Sequence, residues 1–321
     1  SAKAQRFHDS TAKVIAAGYT SVRDVGTVGN VAATVRDAVN EGRVRGPRVI
    51  ASGPIIGPTS GMVDTLPSGW QSSRGLGVLC DGVDAIVKEV RRQIKNGVDN
   101  IKLGASGVEV GPYAYTWMTT LSEAEIRAGT EEAHRWGRTV AIHCQSYDAV
   151  KFALRAGVDT IEHATRLDDA ALEMFAASRT ALVPTLSTLF RGLEFGEKLN
   201  LMAKQREEMA INKELWVTSF QRALAAGIPI GAGADLGNRY LHGENARELV
   251  HLINCGMSPM AAIQSATVSG GAPTAWAHLH PAGWPTCWWS TAIPSRTSTR
   301  CWPPTRSGWC CWRAGRPPAR R

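Results

Sequence analysis

Four residues in this chain could do chemistry together: Lys102, His143, His163 and Asp235. Each lies in or just after a short apolar run. The runs are Asn-Ile-Lys-Leu-Gly, Val-Ala-Ile-His-Cys, Thr-Ile-Glu-His-Ala and Gly-Ala-Gly-Ala-Asp-Leu-Gly. Taken singly, each residue has a plain structural reading. A His after a strand is commonly a satisfied core residue, and an Asp there commonly caps the next helix. Lys102 is harder to dismiss, because an ammonium buried without a partner is costly. It calls for a carboxylate beside it or for chemical modification. Two imidazoles, a carboxylate and a lysine at successive strand ends converge on one point. Imidazole and carboxylate are leading zinc ligands, so the joint pattern favours a metal site.

Residues 11–270 must position these groups, and they repeat one unit: an apolar run, a polar loop and an amphipathic stretch. Strands are predicted at Tyr19–Val25, Arg48–Ser52, Asn100–Gly104, Thr139–Cys144, Thr160–His163, Ala181–Leu186 and Ile228–Ala232. Helices are predicted at Asp84–Lys95, Ser122–Trp136, Tyr147–Ala156 and Asp168–Ala177, with a long helical region over Glu194–Ala226. Ser122 followed by Glu125 is a capping-box signal. Gly18, Gly97, Gly137, Gly157 and Gly227 close units, where glycine supplies a left-handed C-cap. Such alternation implies a parallel sheet, either an open doubly wound one or most of a (β/α)8 TIM-type barrel. Gly231-Ala-Gly233 lacks the third glycine of a dinucleotide fingerprint and comes from the last strand, and no Walker A motif exists. In a barrel, functional residues sit at the carboxyl ends of strands. The four candidates then fall on strands four, five, six and eight, if strand one precedes Ser1.

The order of these residues resembles the amidohydrolase superfamily, and within it the prolidase-like metal-dependent peptidases and amidases. The matching stretches are Gly18-Tyr-Thr-Ser-Val-Arg-Asp-Val-Gly26, Gly46-Pro-Arg-Val-Ile-Ala-Ser-Gly53, Ile101-Lys102, His143 with His163 twenty residues on, the strand ending in Asp235, and His242-Gly-Glu-Asn-Ala-Arg-Glu-Leu249. The resemblance implies a (β/α)8 barrel over residues 1–272, carrying strands two to eight. It implies that CO2 carbamylates Lys102 into a carboxylate bridging two Zn2+ ions. His143 and His163 would bind the second metal. Asp235 would bind the first and carry the proton from the attacking water to the leaving nitrogen. The implied reaction is hydrolysis of a peptide or amide C–N bond, with a dipeptide or a small N-acyl amino acid as substrate. A cyclic-amide hydrolase of the imidazolonepropionase type is the alternative within the superfamily, and an inactive, truncated barrel is the alternative outside it. Gln145, on the same strand face as His143, and His242, Glu244 and Asn245 are candidates for the substrate pocket; Glu244 reads equally as a first-turn helix acid. Cys144 is expected to face away from the site. Arg23 and Asp24 are read as an ion pair holding a loop.

The chain departs from this family in three places. The His-x-His pair that ends strand one and binds the first metal is not in this sequence, nor is the flanking β-sandwich. His8 stands alone in the helix-like Ala4–Ala17 stretch. Fewer than two metals are therefore expected, together with an open sheet edge that favours self-association into a homo-oligomer. Second, where related sequences carry Gly-Gly-His-Gly-Asp, this chain has Ser60-Gly-Met-Val-Asp64. Third, the tail at residues 273–321 is aberrant. Trp284-Pro-Thr-Cys-Trp-Trp-Ser-Thr-Ala-Ile-Pro294, read from the third codon base of Trp284, is compatible with Ala-Asp-Leu-Leu-Val-Val-Asp-Gly-Asp-Pro-Leu, the continuation such families have. The tail is thus expected to be a shifted reading frame without ordered structure.

Composition agrees. The formal charge of +8 suggests nucleic acid until it is located: residues 276–321 hold seven of the 36 Lys and Arg and no acid, which leaves 29 against 28 in the body. Neither nucleic acid nor membrane is an expected partner, since no run approaches ~18 uncharged apolar residues. The seven cysteines form no disulfide framework, and a reducing, cytoplasmic location is expected.

Overall fold

The computed structural model describes residues 2–66, 76–109, 113–198, 200–237 and 241–267, with side chains from residue 9 onward. The expectations for the tail, including the shifted frame, lie outside the described residues. The strands are β1 (Ser21–Arg23), β2 (Arg48–Ile50), β3 (Ile55–Gly57), β4 (Gly77–Leu79), β5 (Asn100–Gly104), β6 (Thr139–Cys144), β7 (Thr160–His163) and β8 (Ala181–Val183). The helices are α1 (Ala2–Ala16), α2 (Val31–Asn40), α3 (Val83–Lys95), α4 (Glu123–Arg135), α5 (Tyr147–Ala156), α6 (Asp169–Ala176), α7 (Leu186–Phe195), α8 (Ala203–Ala225), α9 (Arg247–Asn254) and α10 (Pro259–Ala266). No described helix is long and apolar enough to cross a membrane.

Every strand pairing is parallel. β1 pairs with β2, and a second sheet runs β4-β3-β5-β6-β7-β8. The Ser52–Asn100 bridge joins the end of β2 to β5, so β2 and β3 act as one strand bent at Gly53-Pro54. The described strands form an arc of a barrel and do not close into a ring.

β5, β6 and β7 coincide with the predicted runs because they are fully apolar on one face. Alternation sends Ile101, Leu103, Val140, Ile142, Cys144 and Ile161 into the main hydrophobic core. There they meet Ile86 and Val90 of α3, Ile126 of α4 and Val150 of α5. Cys144 therefore faces the helices. The opposite face carries Asn100, Lys102, His143, Thr160 and Glu162, all buried. That polar column marks the barrel interior. Ser122 and Glu125 form the expected capping box at α4, and the five unit-closing glycines all have positive φ, from 65° to 90°.

Four points differ from expectation. β3 and β4 were not anticipated; each is only three residues long, and β3 is fenced by Pro54 and Pro58. Ile228–Ala232 forms no ladder strand, only the single bridge from Ile230 to Leu182, because Pro229 lacks the N–H a ladder needs. The long helical region is two helices, α7 and α8, parted where Asn200 takes φ 56°. α7 also begins at Leu186, inside the stretch predicted as strand.

Candidate active site

The polar column is held by one buried network. The Lys102 amine bonds the Glu162 carboxylate at close range, and both side chains are nearly solvent-free. The other Glu162 oxygen accepts from Arg23 Nη2 at 3.1 Å and from Thr160 Oγ1 at 2.7 Å. Arg23 Nη1 donates to Thr160 Oγ1 at 2.9 Å. The partner that a buried ammonium requires is thus Glu162. Arg23 does not pair with Asp24, contrary to expectation. Asp24 accepts from Ser52 Oγ at 2.6 Å and from the Gly26 amide at 3.2 Å. Adjacent strand residues point to opposite faces, so the neighbours cannot meet.

His143 and His163 come together at the ends of β6 and β7. Their rings stand edge to face, with centroids 4.6 Å apart and planes at 67°. His143 Nε2 lies 2.9 Å from the Gly107 carbonyl, which can only accept, so Nε2 carries the proton and Nδ1 the lone pair. Gly107 must be glycine, because a Cβ there would sit 2.1 Å from the Tyr115 carbonyl oxygen. Burial, with the Lys102 charge second, pushes the His143 pKa down to about 3, so the ring is neutral at pH 7. Thr185 spends its hydroxyl proton on the Pro184 carbonyl at 2.8 Å. Its oxygen therefore accepts from His163 Nδ1 at 2.5 Å. Trp216 backs the His163 ring at 5.7 Å.

Backbone strain gathers here. Of the six described non-glycine residues with positive φ, four are His163, Ala164, Thr185 and Asp235, at 71°, 46°, 49° and 47°. Such conformations cost roughly 1–3 kcal/mol each and cluster at functional sites. Asp235 is partly buried and accepts from Thr188 Oγ1 at 3.1 Å.

The donor chemistry of the imidazole pair fits zinc: two imidazoles stand side by side at adjacent strand ends, and burial holds His143 neutral. Lys102 and Asp235, as placed, do not complete a shell around it. Lys102 is spent on Glu162, and among the described residues no group of three or more His, Cys, Asp or Glu could hold a metal ion.

Gln145 is buried and donates to Glu109 Oε1 at 2.8 Å. His242 is exposed. Glu244 accepts from the Leu241 amide at 3.0 Å and from Arg247 Nε at 3.0 Å, bonds within its own loop and helix start. Asn245 is partly buried. Sequence reasoning did not single out Thr185, Thr188, Gly107 or the partner role of Glu162. The Ile-Glu-His order held the one available signal, since Glu162 alternates onto the face of Lys102.

A parallel strand-and-helix arc with its polar residues at the carboxyl ends of strands is the (β/α)8-barrel plan. The chain belongs to the Amidohydrolase family, which it matches over residues 1–272. It is 30% identical over 281 residues to ochratoxinase from Aspergillus niger, covering 78% of this chain and 54% of that one. The crystal structure of that ochratoxinase superposes with TM-score 0.73 and 26% identity, covering 82% of this chain and 62% of the other. A Xaa-Pro dipeptidase with methionine bound in its active site gives TM-score 0.74 and 29% identity, covering 82% and 66%. A prolidase complexed with N-methylphosphonate-L-proline gives 0.73 and 28%, covering 82% and 65%. The chain spans about half the length of the curated ochratoxinase.

Proposed function

We propose that this chain carries the strand-end part of a metal-dependent hydrolase that cleaves the C–N bond of a dipeptide or N-acyl amino acid. The observation that carries the reading is the His143–His163 pair, edge to face at the ends of adjacent parallel strands. The dipeptidase, prolidase and ochratoxinase likenesses support an amide substrate. Buried free cysteines at Cys80, Cys144 and Cys255 suit a cytoplasmic location.

His143 and His163 would hold a zinc ion. Lys102, once carbamylated by CO2 and released from Glu162, is the candidate third ligand. When bound, zinc supplies a water acidified to a pKa of roughly 7 and a polarised carbonyl. The remaining work falls to the chain. Burial keeps His143 neutral, and Gly107 fixes its tautomer. Thr185 orients the His163 ring through its hydrogen bond to Nδ1. Asp235, oriented by Thr188, takes the proton of the attacking water and delivers it to the leaving nitrogen.

Zinc titration and a substrate panel test this reading. The panel holds Xaa-Pro dipeptides, N-acyl amino acids and cyclic amides. Zinc binding and dipeptide or N-acyl turnover are expected, and His143→Ala and His163→Ala should each weaken zinc binding by at least ~100-fold. Turnover of cyclic amides alone would overturn the peptidase reading. Zinc bound without turnover of any amide would identify an inactive barrel, and unchanged zinc affinity in both variants would remove the site.

A further inference from the structure

The chain around His143 is gripped by the stretch that follows β5. The Ala105 amide donates to the His143 carbonyl at 3.0 Å. Ser106 Oγ accepts the amide of Gln145, two residues beyond His143, at 2.9 Å. Thr119 pairs with Ser106 in a single antiparallel bridge, and its hydroxyl lies 2.7 Å from that of Ser146. Arg166, only 8% exposed, holds the Gln145 carbonyl at 3.2 Å from the β7 side. Gln145 is thus fixed at both backbone groups just past the histidine.

Ser106 is the member of this grip with a second task. It is fully buried. Its oxygen is engaged by the Gln145 amide, and its proton goes to the Gly107 carbonyl at 3.1 Å. That same carbonyl accepts from His143 Nε2 at 2.9 Å. A carbonyl oxygen has two lone pairs and serves both donors.

The second donor matters because residue 107 has to be glycine. A Cβ there would meet the Tyr115 carbonyl oxygen at 2.1 Å. Glycine is also the residue whose backbone turns most freely. The Gly107 amide bonds the Met118 carbonyl at 3.1 Å, which fixes the peptide plane before Gly107. The carbonyl that receives His143 lies in the plane after it. Rotation about the bond between Cα and the carbonyl carbon of Gly107 swings that oxygen and leaves the amide where it is. The Ser106 hydroxyl ties this second plane to the chain leaving β6.

We propose that Ser106 is a positioning residue for His143, its hydroxyl holding the Gly107 carbonyl against Nε2 so that the lone pair stays on Nδ1, the nitrogen left for a metal. Without the hydroxyl the carbonyl is free to turn away, and the ring can place its proton on Nδ1 instead. The purpose of the device rests on the zinc-hydrolase reading. The device itself belongs to the metal-free chain and is tested there.

The tautomer can be read directly. Long-range proton–nitrogen NMR spectra of the metal-free full chain with isotope-labelled histidine separate Nε2–H rings from Nδ1–H rings, and His143→Ala identifies the His143 signals. The unaltered chain should show His143 as Nε2–H alone. Ser106→Ala should bring in the Nδ1–H form and weaken zinc binding at least ~10-fold, the lower end of the effect of removing an outer hydrogen-bond partner of a ligating histidine. Ser106→Thr, which keeps the hydroxyl, should restore both. A residue that served packing alone would leave the tautomer unmoved. If Ser106→Ala loses its native circular dichroism, Ser106→Cys, a weak donor, is read in its place, and the Nε2–H ring of the unaltered chain remains a requirement. An Nδ1–H ring in the unaltered chain, or a pure Nε2–H ring in the variant without the hydroxyl, overturns the proposal. If the unaltered chain binds no zinc, the hydrolase reading fails, and the tautomer spectra still decide the role of Ser106.

Discussion

At the scale of single residues, Lys102 shows how far a sequence can be read and where it stops. A lysine inside an apolar strand announces that something must neutralise it, and the choice between a carboxylate and a modification stays open. Glu162 sits on the next strand but one, and only parallel pairing through β6 carries it to the same interior face. The two histidines are legible for a simpler reason: both close predicted strands, and parallel strands end together. Arg166 is not legible, because an arginine three residues past a strand reads as a solvated loop; its burial comes from Thr116, Gln145 and Asn212, all distant in sequence. The Lys102–Glu162 pair makes a measurable claim. Lys102→Met leaves a buried carboxylate sharing only Arg23 and Thr160, so a loss of about 3–5 kcal/mol is expected in urea unfolding. Lys102→Met with Glu162→Gln should lose less than the single change, since no buried charge is then left uncompensated. A single-variant loss below about 1 kcal/mol would show that the pair is not closed in solution.

At the scale of elements, strands five to seven and their helices follow from periodicity and capping, whereas the last third of the sheet does not. There Pro229 limits the ladder, and α7 starts where an apolar run suggested strand. What fixes α7 is a residue from another helix. Glu248 of α9, 1% exposed, accepts the Leu186 amide at 3.0 Å and the Ser187 amide at 2.7 Å, satisfying two first-turn donors of α7. α7 then presents Thr188 to Asp235, and Thr185 just before it meets His163. One carboxylate thereby braces both sides of the site. Burial raises the Glu248 pKa from 4.5 to about 7, above its unfolded value. The folded state then holds a proton that the unfolded chain has released. This contribution to stability is full below pH 4.5 and falls as pH rises toward about 7. At about 1.4 kcal/mol per unit, the drop is roughly 3 kcal/mol. Glu248→Gln should flatten that slope in urea titrations run at a series of pH values between 4 and 8. An identical slope in the variant would mean that Glu248 titrates normally.

At the scale of the whole molecule, the barrel plan is legible from alternation, but closure is not, because closure depends on which edges find partners. Among the described residues, β1 bonds only β2 and β4 bonds only β3. Among the described residues, β8 has, beyond β7, just the bridge to Ile230. Edges of this kind offer unpaired backbone groups to any other chain. The β4 edge adds apolar surface, with Leu79 46% and Leu76 50% exposed. Within residues 1–275 charge does little to keep copies apart, with 29 basic against 28 acidic side chains; the excess of the +8 chain lies in residues 276–321. Association that grows with concentration is therefore expected in sedimentation velocity. Leu79→Lys places a charge on the exposed edge without touching the core, so it should lower that association and leave the thermal midpoint within a degree or two, roughly the range of surface changes. A monomer at every concentration, or association untouched by Leu79→Lys, would show that the β4 edge is covered in solution and that contact between copies is made elsewhere.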